Sequence, residues 1–164
     1  MATITLKGND IHTAGSLPAV GHEAPLFTLT KNDLSSFSLS ELKGKKVIIN
    51  ISPSMDTGIC ASTARKFNEE ASNNDAVVLH ITKDLPFAHT RFCEAEGIKN
   101  VITLADYKNS DFADAYNTLI VDGPMAGLHS RCVVVINEAG KIAYTEQVPE
   151  IVQEPDYEKA LAAL

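Results

Sequence analysis

The amino-acid sequence predicts an α/β protein in which a mixed central sheet is covered by helices on both faces. Short apolar runs alternate with segments of helical periodicity along most of the chain, as expected of parallel strands joined by helical crossovers. A strand–turn–strand pattern and a final helix follow that alternation, and a β-hairpin precedes it. The 164 residues suffice for one core, and no linker or repeat divides them, so we expect one domain over residues 1–164.

The N-terminal part of the chain is predicted to contain strands and turns. An N-terminal β-hairpin is indicated because Ile4 and Leu6 lie on one side, and Ile11 on the other, of a turn at residues 7–10. The segments that follow are, in order, a loop at 18–25, an edge strand at 27–30, a polar turn at 31–33 and a short helical turn at 38–44.

The rest of the chain carries the main strands and helices. The predicted strands are 47–51, 76–81, 101–104, 132–136 and 141–144, the last two joined by a turn at 137–140. The predicted helices are 61–71, 86–95, 111–116 and 155–164. Pro86 at the first helical position and Gly97 after the last turn are typical boundaries of the second helix.

Composition excludes several classes of function. The formal net charge is −7 and no basic run is present, which argues against nucleic acid or an anionic membrane surface as a partner. The N-terminus lacks the apolar core of a signal peptide, and no apolar stretch approaches the ~20 residues that span a bilayer. We therefore expect a soluble, cytoplasmic protein that binds neither nucleic acid nor membranes.

Cysteine and histidine usage indicates neither a disulfide framework nor a metal site. Three cysteines are too few, and odd in number, for the framework of a small secreted protein, and no CxxC pair occurs. The five histidines show no spacing typical of metal ligands. We expect no metal and no cofactor.

Cys60 is the most informative residue of the chain. It follows the apolar strand 47–51 and falls at the start of the helix that comes next. The free N–H groups and the positive end of the dipole at a helix N-terminus stabilise a thiolate over a thiol. Asp56 or Thr57 can cap this helix, and Thr57, three positions before the cysteine, can direct its hydroxyl at the sulfur. This context predicts a reactive thiol, although an isolated cysteine is more often a small buried hydrophobic residue.

These residues resemble the peroxiredoxins. Pro53, Thr57 and Cys60 form the pattern PxxxTxxC, which is similar to the active-site signature of that family. The chain resembles the bacterial thiol peroxidase branch, the atypical two-cysteine peroxiredoxins, over essentially its whole length. The stretches that carry this resemblance are SPSMDTGIC at 52–60, DLPFA at 84–88, RFC at 91–93, RCVVVI at 131–136 and EPDY at 154–157.

The resemblance implies a thioredoxin-like fold and a role for each matching residue. Cys60 corresponds to the peroxidatic cysteine that becomes a sulfenic acid, and Cys93 to the resolving cysteine that joins it in an intramolecular disulfide. Thr57 and Pro53 correspond to the motif partners, and Arg131 to the active-site arginine. The implied activity is thioredoxin-dependent reduction of hydrogen peroxide and alkyl hydroperoxides by a homodimer without a cofactor.

Each assignment has a simpler alternative. Arg131 could be a surface salt-bridge residue, Pro53 an ordinary rigid turn, and Cys93 a buried helix cysteine. Thr57 could cap its helix, hydrogen-bond the reacting atoms, or both. Cys132 is not part of the family's mechanism and is expected to pack in its strand.

Two other functions compete with the peroxidase. A redox sensor would pass its oxidation to a partner through the same disulfide, and a structural thioredoxin-like domain would have inert thiols. Steady turnover of hydroperoxide distinguishes the enzyme from the sensor, and thiol alkylation at mildly acidic pH distinguishes a reactive thiol from an inert one.

Overall fold

The computed structural model describes all 164 residues as a seven-stranded mixed sheet with a separate two-stranded hairpin. The strands are β1 (Thr3–Leu6), β2 (Asn9–His12), β3 (Thr28–Thr30), β4 (Ser36–Ser38), β5 (Val47–Ile51), β6 (Val77–Thr82), β7 (Val101–Ala105), β8 (Cys132–Ile136) and β9 (Ile142–Gln147). The helices are α1 (Gly58–Asn74), α2 (Pro86–Glu96), α3 (Asp111–Tyr116) and α4 (Tyr157–Ala162), with a 3-10 turn at Leu39–Leu42. None of the helices combines the length and the hydropathy that a membrane span requires.

Strand order brings three distant segments to one edge of the sheet. The order is β4-β3-β7-β6-β5-β8-β9, and β5, β6 and β7 are parallel neighbours. Their carboxyl ends therefore meet at one edge, from which the chain enters α1 and α2. Strand β8 runs antiparallel to β5, with Cys132 opposite Ile51, so the start of β8 lies at that same edge.

Side-chain alternation along the strands divides the core into two layers. On one face, Ile48 and Val133 pack with residues of α1, α2 and α4. On the other face, Ile49 and Cys132 pack with residues of α3 and of the segments around β3 and β4. Helices thus cover both faces of a mixed sheet, as the sequence predicts.

Three local predictions were wrong. Strand β3 was predicted as an edge strand, but it lies between β4 and β7. Strand β4 was missed because two of its three residues are serines, which have weak strand propensity; its pairing depends on buried Phe37, which lies opposite Leu29. The hairpin turn is also shorter than predicted, since Lys7 and Gly8 both have positive φ (51° and 81°) and close a two-residue turn.

Candidate active site

The segment between β5 and α1 places Cys60 in the first turn of a helix. We call residues 52–57 the Cys60 loop. The loop begins with buried Ser52 and Pro53 and ends at Thr57, the N-cap of α1. The Thr57 hydroxyl accepts a hydrogen bond from the Cys60 amide (3.2 Å), which decides between the two predicted caps. The Cys60 side chain is fully buried.

Two hydrogen-bond donors are directed at the Cys60 sulfur. The Thr57 Oγ1 lies 2.6 Å from Sγ, and Arg131 Nη1 lies 3.3 Å from it. Thr57 therefore makes both contacts: its oxygen caps the backbone while its hydroxyl is directed at the sulfur. Two donors and the amino end of a helix dipole surround the position that a negative charge on sulfur would occupy.

Arg131 is a buried cation that lacks a carboxylate partner. Only 2% of its surface is exposed, and it takes part in none of the salt bridges of the structure. Its Nε donates to the carbonyl oxygen of Ile151 (2.8 Å), which orients the guanidinium toward Cys60. A buried charge without a counter-charge is strongly destabilising, so this arginine requires an anion. The group that its Nη1 faces is the Cys60 sulfur, and the surface salt-bridge alternative is excluded because the side chain is buried.

Cys93 lies on α2 in different surroundings. Its sulfur is half-buried, and its polar neighbour is the Thr103 Oγ1, at 3.9 Å. The Thr103 hydroxyl itself donates to the Asn32 side chain (2.7 Å). Burial raises the pKa of the Cys93 thiol above its ordinary value. The Cys93 sulfur thus contacts a neutral hydroxyl, whereas the Cys60 sulfur faces the guanidinium of Arg131.

Cys132 is separated from this site by the sheet. It projects from β8 to the face opposite α1, where Ser130 Oγ (3.1 Å) and Gln147 Oε1 (3.2 Å) contact its sulfur. Burial raises the pKa of this thiol to about 12. These surroundings match the expectation that Cys132 packs in its strand.

Pro53 is buried at the carboxyl end of β5 and joined by a trans peptide bond. It lies at the point where the chain leaves the sheet for the Cys60 loop, a position that fits both a site-shaping residue and an ordinary rigid turn. Its ring restricts the backbone there, since φ is held near −65°.

The structure also adds residues that the sequence did not single out. Ile151 orients Arg131 through a backbone carbonyl, an interaction without any sequence signal because every residue carries that group. Asp84 was noted only within a matching stretch, yet its carboxylate contacts the Cys60 loop. Its place directly after strand β6, at the edge where Cys60 lies, is a signal that could have identified it. No group of three or more His, Cys, Asp or Glu side chains is arranged to hold a metal ion.

Comparison with known proteins agrees with this geometry. The Redoxin family profile matches residues 19–161. A thiol peroxidase from Mycobacterium bovis is 55% identical over 164 residues, covering 100% of this chain and 99% of that protein. A thiol peroxidase from Mycobacterium tuberculosis matches to the same extent.

Solved structures show the same fold. A peroxiredoxin-like protein from Aquifex aeolicus superposes with a TM-score of 0.91 at 36% identity, covering 98% of this chain and 94% of that one. A thiol peroxidase from Chromobacterium violaceum has the same fold, with a TM-score of 0.89 at 19% identity over 96% of this chain and 91% of that one. Full-length identity of 55% and a family match over most of the chain establish the relationship. This chain belongs to the thiol peroxidases of the Redoxin family, enzymes that reduce peroxides with a cysteine.

Proposed function

We propose that this protein reduces hydrogen peroxide and alkyl hydroperoxides with Cys60 as the peroxidatic residue and Cys93 as the resolving residue. The observation that carries this proposal is the buried guanidinium of Arg131, which faces the Cys60 sulfur at 3.3 Å and has no carboxylate partner. An inert structural thiol would leave that charge unbalanced in the core.

The first step is attack of the Cys60 thiolate on the terminal oxygen of the hydroperoxide. A sulfur–oxygen bond forms with the thiolate electron pair, and the O–O bond breaks. The sulfur is oxidised to a sulfenic acid, and the leaving alkoxide or hydroxide takes a proton from water. The hydroxyl of Thr57 and the guanidinium of Arg131 stabilise the charge that moves from sulfur to oxygen during this step.

The second step joins the two cysteines. The sulfur of Cys93 attacks the Cys60 sulfenic acid, the S–O bond breaks, and the leaving hydroxide combines with the proton of the Cys93 thiol to form water. The raised pKa of the Cys93 thiol is consistent with this order, since it keeps the second thiol from competing for peroxide.

A dithiol reductant of the thioredoxin type then returns the enzyme to its reduced form by thiol–disulfide exchange. We place this cycle in a homodimer in the cytoplasm. The choice of reductant, the oligomeric state and the use of alkyl hydroperoxides are supported by the family relationship.

The test is a coupled assay in which NADPH loss is followed with thioredoxin, thioredoxin reductase and either hydrogen peroxide or cumene hydroperoxide. Steady turnover with both peroxides is expected, and Cys60→Ser should abolish it because a serine hydroxyl forms no sulfenic acid. Cys132→Ser, on the opposite face of the sheet, is the matched control and should retain activity. Clear turnover by Cys60→Ser would refute the assignment of the nucleophile, and a single turnover by the wild type would favour a redox sensor.

A further inference from the structure

The carboxylate of Asp84 organises the Cys60 loop. It accepts hydrogen bonds from the Ser54 hydroxyl (2.9 Å) and from the Met55 amide (2.7 Å). The Ser54 oxygen in turn accepts a hydrogen bond from the Asp56 amide (3.2 Å). Three consecutive residues of the loop are therefore arranged around one carboxylate. Because the next residue along the chain is Thr57, this arrangement sets where the hydroxyl that contacts the Cys60 sulfur lies.

The same carboxylate belongs to the segment that carries the second cysteine. Asp84 lies two residues before the first residue of α2, the helix on which Cys93 is found. It also accepts a hydrogen bond from the Thr82 hydroxyl (2.9 Å), whose oxygen is 2.7 Å from Nε2 of His89 on α2. A carboxylate can only accept hydrogen bonds, so the one hydrogen of the Thr82 hydroxyl points to Asp84. The contact between Thr82 and His89 must then be a hydrogen bond that His89 Nε2 donates to the Thr82 oxygen. A continuous set of hydrogen bonds thus links the Cys60 loop to the interior face of α2.

A second connection between these segments is weaker. Arg91 of α2 pairs with Asp56 at 3.3 Å, but both side chains are more than 60% exposed. Ion pairs this exposed contribute little to stability. Asp84 is half-buried and accepts three hydrogen bonds, so it is the stronger connection between the two cysteine-bearing segments.

We propose that Asp84 is a positioning residue that holds the Cys60 loop in the geometry for peroxide attack and releases it when Cys60 and Cys93 join. The inference rests on the peroxidase reaction proposed above. While the hydrogen bonds to Asp84 are intact, Thr57 stays on the sulfur and the two cysteine-bearing segments stay in place. Disulfide formation requires these segments to move toward each other, which breaks those bonds. Removing them should therefore slow the first step and favour the second.

The first measurement is the second-order rate constant for sulfenic acid formation, followed by stopped flow in a Cys93→Ser background. Asp84→Asn keeps the shape of the side chain but has one acceptor oxygen instead of two, so it can no longer accept hydrogen bonds from Ser54, Met55 and Thr82 together. We expect a rate about tenfold lower than in the parent. Ser54→Ala removes one donor to the carboxylate together with the acceptor of the Asp56 amide, and it should lower the rate less. Because Ser54 and Asp84 contact each other, the effects of the two substitutions should be less than additive in the double variant.

The second measurement is the partition of the Cys60 sulfenic acid in protein that retains Cys93. At a fixed excess of peroxide, intact mass separates disulfide, with the loss of two hydrogens, from sulfinic acid, with two added oxygens. Asp84→Asn should give a smaller fraction of sulfinic acid than the wild type. Without the hydrogen bonds to Asp84, the two cysteine-bearing segments move toward each other more readily, and the disulfide forms sooner. A variant that was only less stable would not both slow the first step and protect the product from further oxidation.

The matched control is Asp114→Asn. Asp114 of α3 also accepts a hydrogen bond from a serine hydroxyl, that of Ser110 (2.7 Å), but α3 packs on the face of the sheet opposite α1. This substitution should leave unchanged both the rate constant for sulfenic acid formation and the partition between disulfide and sulfinic acid. If Asp84→Asn fails to fold, Ser54→Ala carries the test alone.

If Asp84→Asn and Ser54→Ala both form sulfenic acid at the wild-type rate and give the wild-type partition, the role of Asp84 is overturned. The proposed peroxidase reaction would be unaffected by that result. A wild-type protein that forms no sulfenic acid at Cys60 would instead overturn the proposed function, and the role of Asp84 with it.

Discussion

Given the Cys60–Cys93 disulfide proposed above, oxidation of this enzyme by one equivalent of peroxide should open α2 locally, because the two sulfurs lie far apart in the reduced fold. The Cys93 sulfur lies against Thr103 of β7, whereas the Cys60 sulfur is contacted by Arg131 at the start of β8. Strands β7 and β8 are separated by β6 and β5, three strand spacings or about 14 Å. Allowing for the reach of the arginine side chain, the two sulfurs are on the order of 10 Å apart. A disulfide holds them at about 2 Å, with the Cα atoms 4.4–6.8 Å apart.

Helix α2 is the more weakly held of the two helices that carry these cysteines. Only Pro86, His89 and Phe92 of α2 are buried. Helix α1 is longer and buries four side chains, among them Phe67, whose ring packs edge-on against Tyr157 at 5.3 Å. Exposing one phenylalanine costs about 1.5–3 kcal/mol, which is within the range of local unfolding. Opening α2 is therefore the less costly way to bring the sulfurs together.

Amide hydrogen exchange measures this opening directly. Residues 87–95 should lose protection on oxidation, while β5, β6 and β8 keep theirs. Oxidised Cys93→Ser, which can form no disulfide with Cys60, is the matched control and should keep α2 protected. Equal protection of α2 in the reduced and disulfide forms would refute the reasoning. Loss of protection confined to residues 56–63 would show that the first turn of α1 opens instead.

Three further predictions concern single side chains. Arg131→Gln should slow oxidation of Cys60 about 10- to 150-fold in stopped flow, since a hydrogen bond to a charged group contributes about 1.5–3 kcal/mol. An unchanged rate would show that Arg131 takes no part in this step. Cys93→Ser should lose thioredoxin-supported turnover and gain oxygens in intact mass, whereas a normal disulfide would assign the resolving role to the third cysteine. Burial lowers the pKa of His80 to about 3 and of His89 to about 4, so the unfolded chain binds more protons than the folded one between about pH 4 and 6.5. The urea concentration at the unfolding midpoint should therefore be lower at pH 5 than at pH 7, and the difference should be smaller in His80→Gln and in His89→Gln. Equal differences in the variants and the wild type would show that these histidines do not cause the pH dependence.

Local features of the chain were predictable from sequence because they depend on neighbouring residues. The apolar strand at 47–51, the helix after it, and the position of Cys60 at the start of that helix follow from periodicity and capping. The same reasoning identified α2 from Pro86 and Gly97. Sequence reasoning was less successful where strand pairing and packing decide the structure. Strand β4 is rich in serine, and its strand conformation depends on the packing of Phe37 into the core.

The candidate site was predicted in part. PxxxTxxC placed Thr57 near the Cys60 sulfur, since a cap and a residue three positions later are neighbours in any helix. The two possible caps and the two possible roles of Thr57 could be decided only from side-chain positions. Arg131 was expected at the site from its family pattern, but its burial and lack of a carboxylate partner were not visible in the sequence.

By itself, then, the sequence determined most of the segments that form strands and helices, with β4 as an exception. It also placed one thiol at a helix N-terminus, where a thiolate is favoured. Tertiary structure decided which remote groups surround that thiol. Arg131 is 71 residues from Cys60 along the chain, and it reaches the sulfur because β8 runs antiparallel to β5. Asp84 meets the Cys60 loop because β5 and β6 are parallel and end at the same edge. These contacts depend on strand order and register, which arise from the packing of the whole core, and no local pattern encodes them.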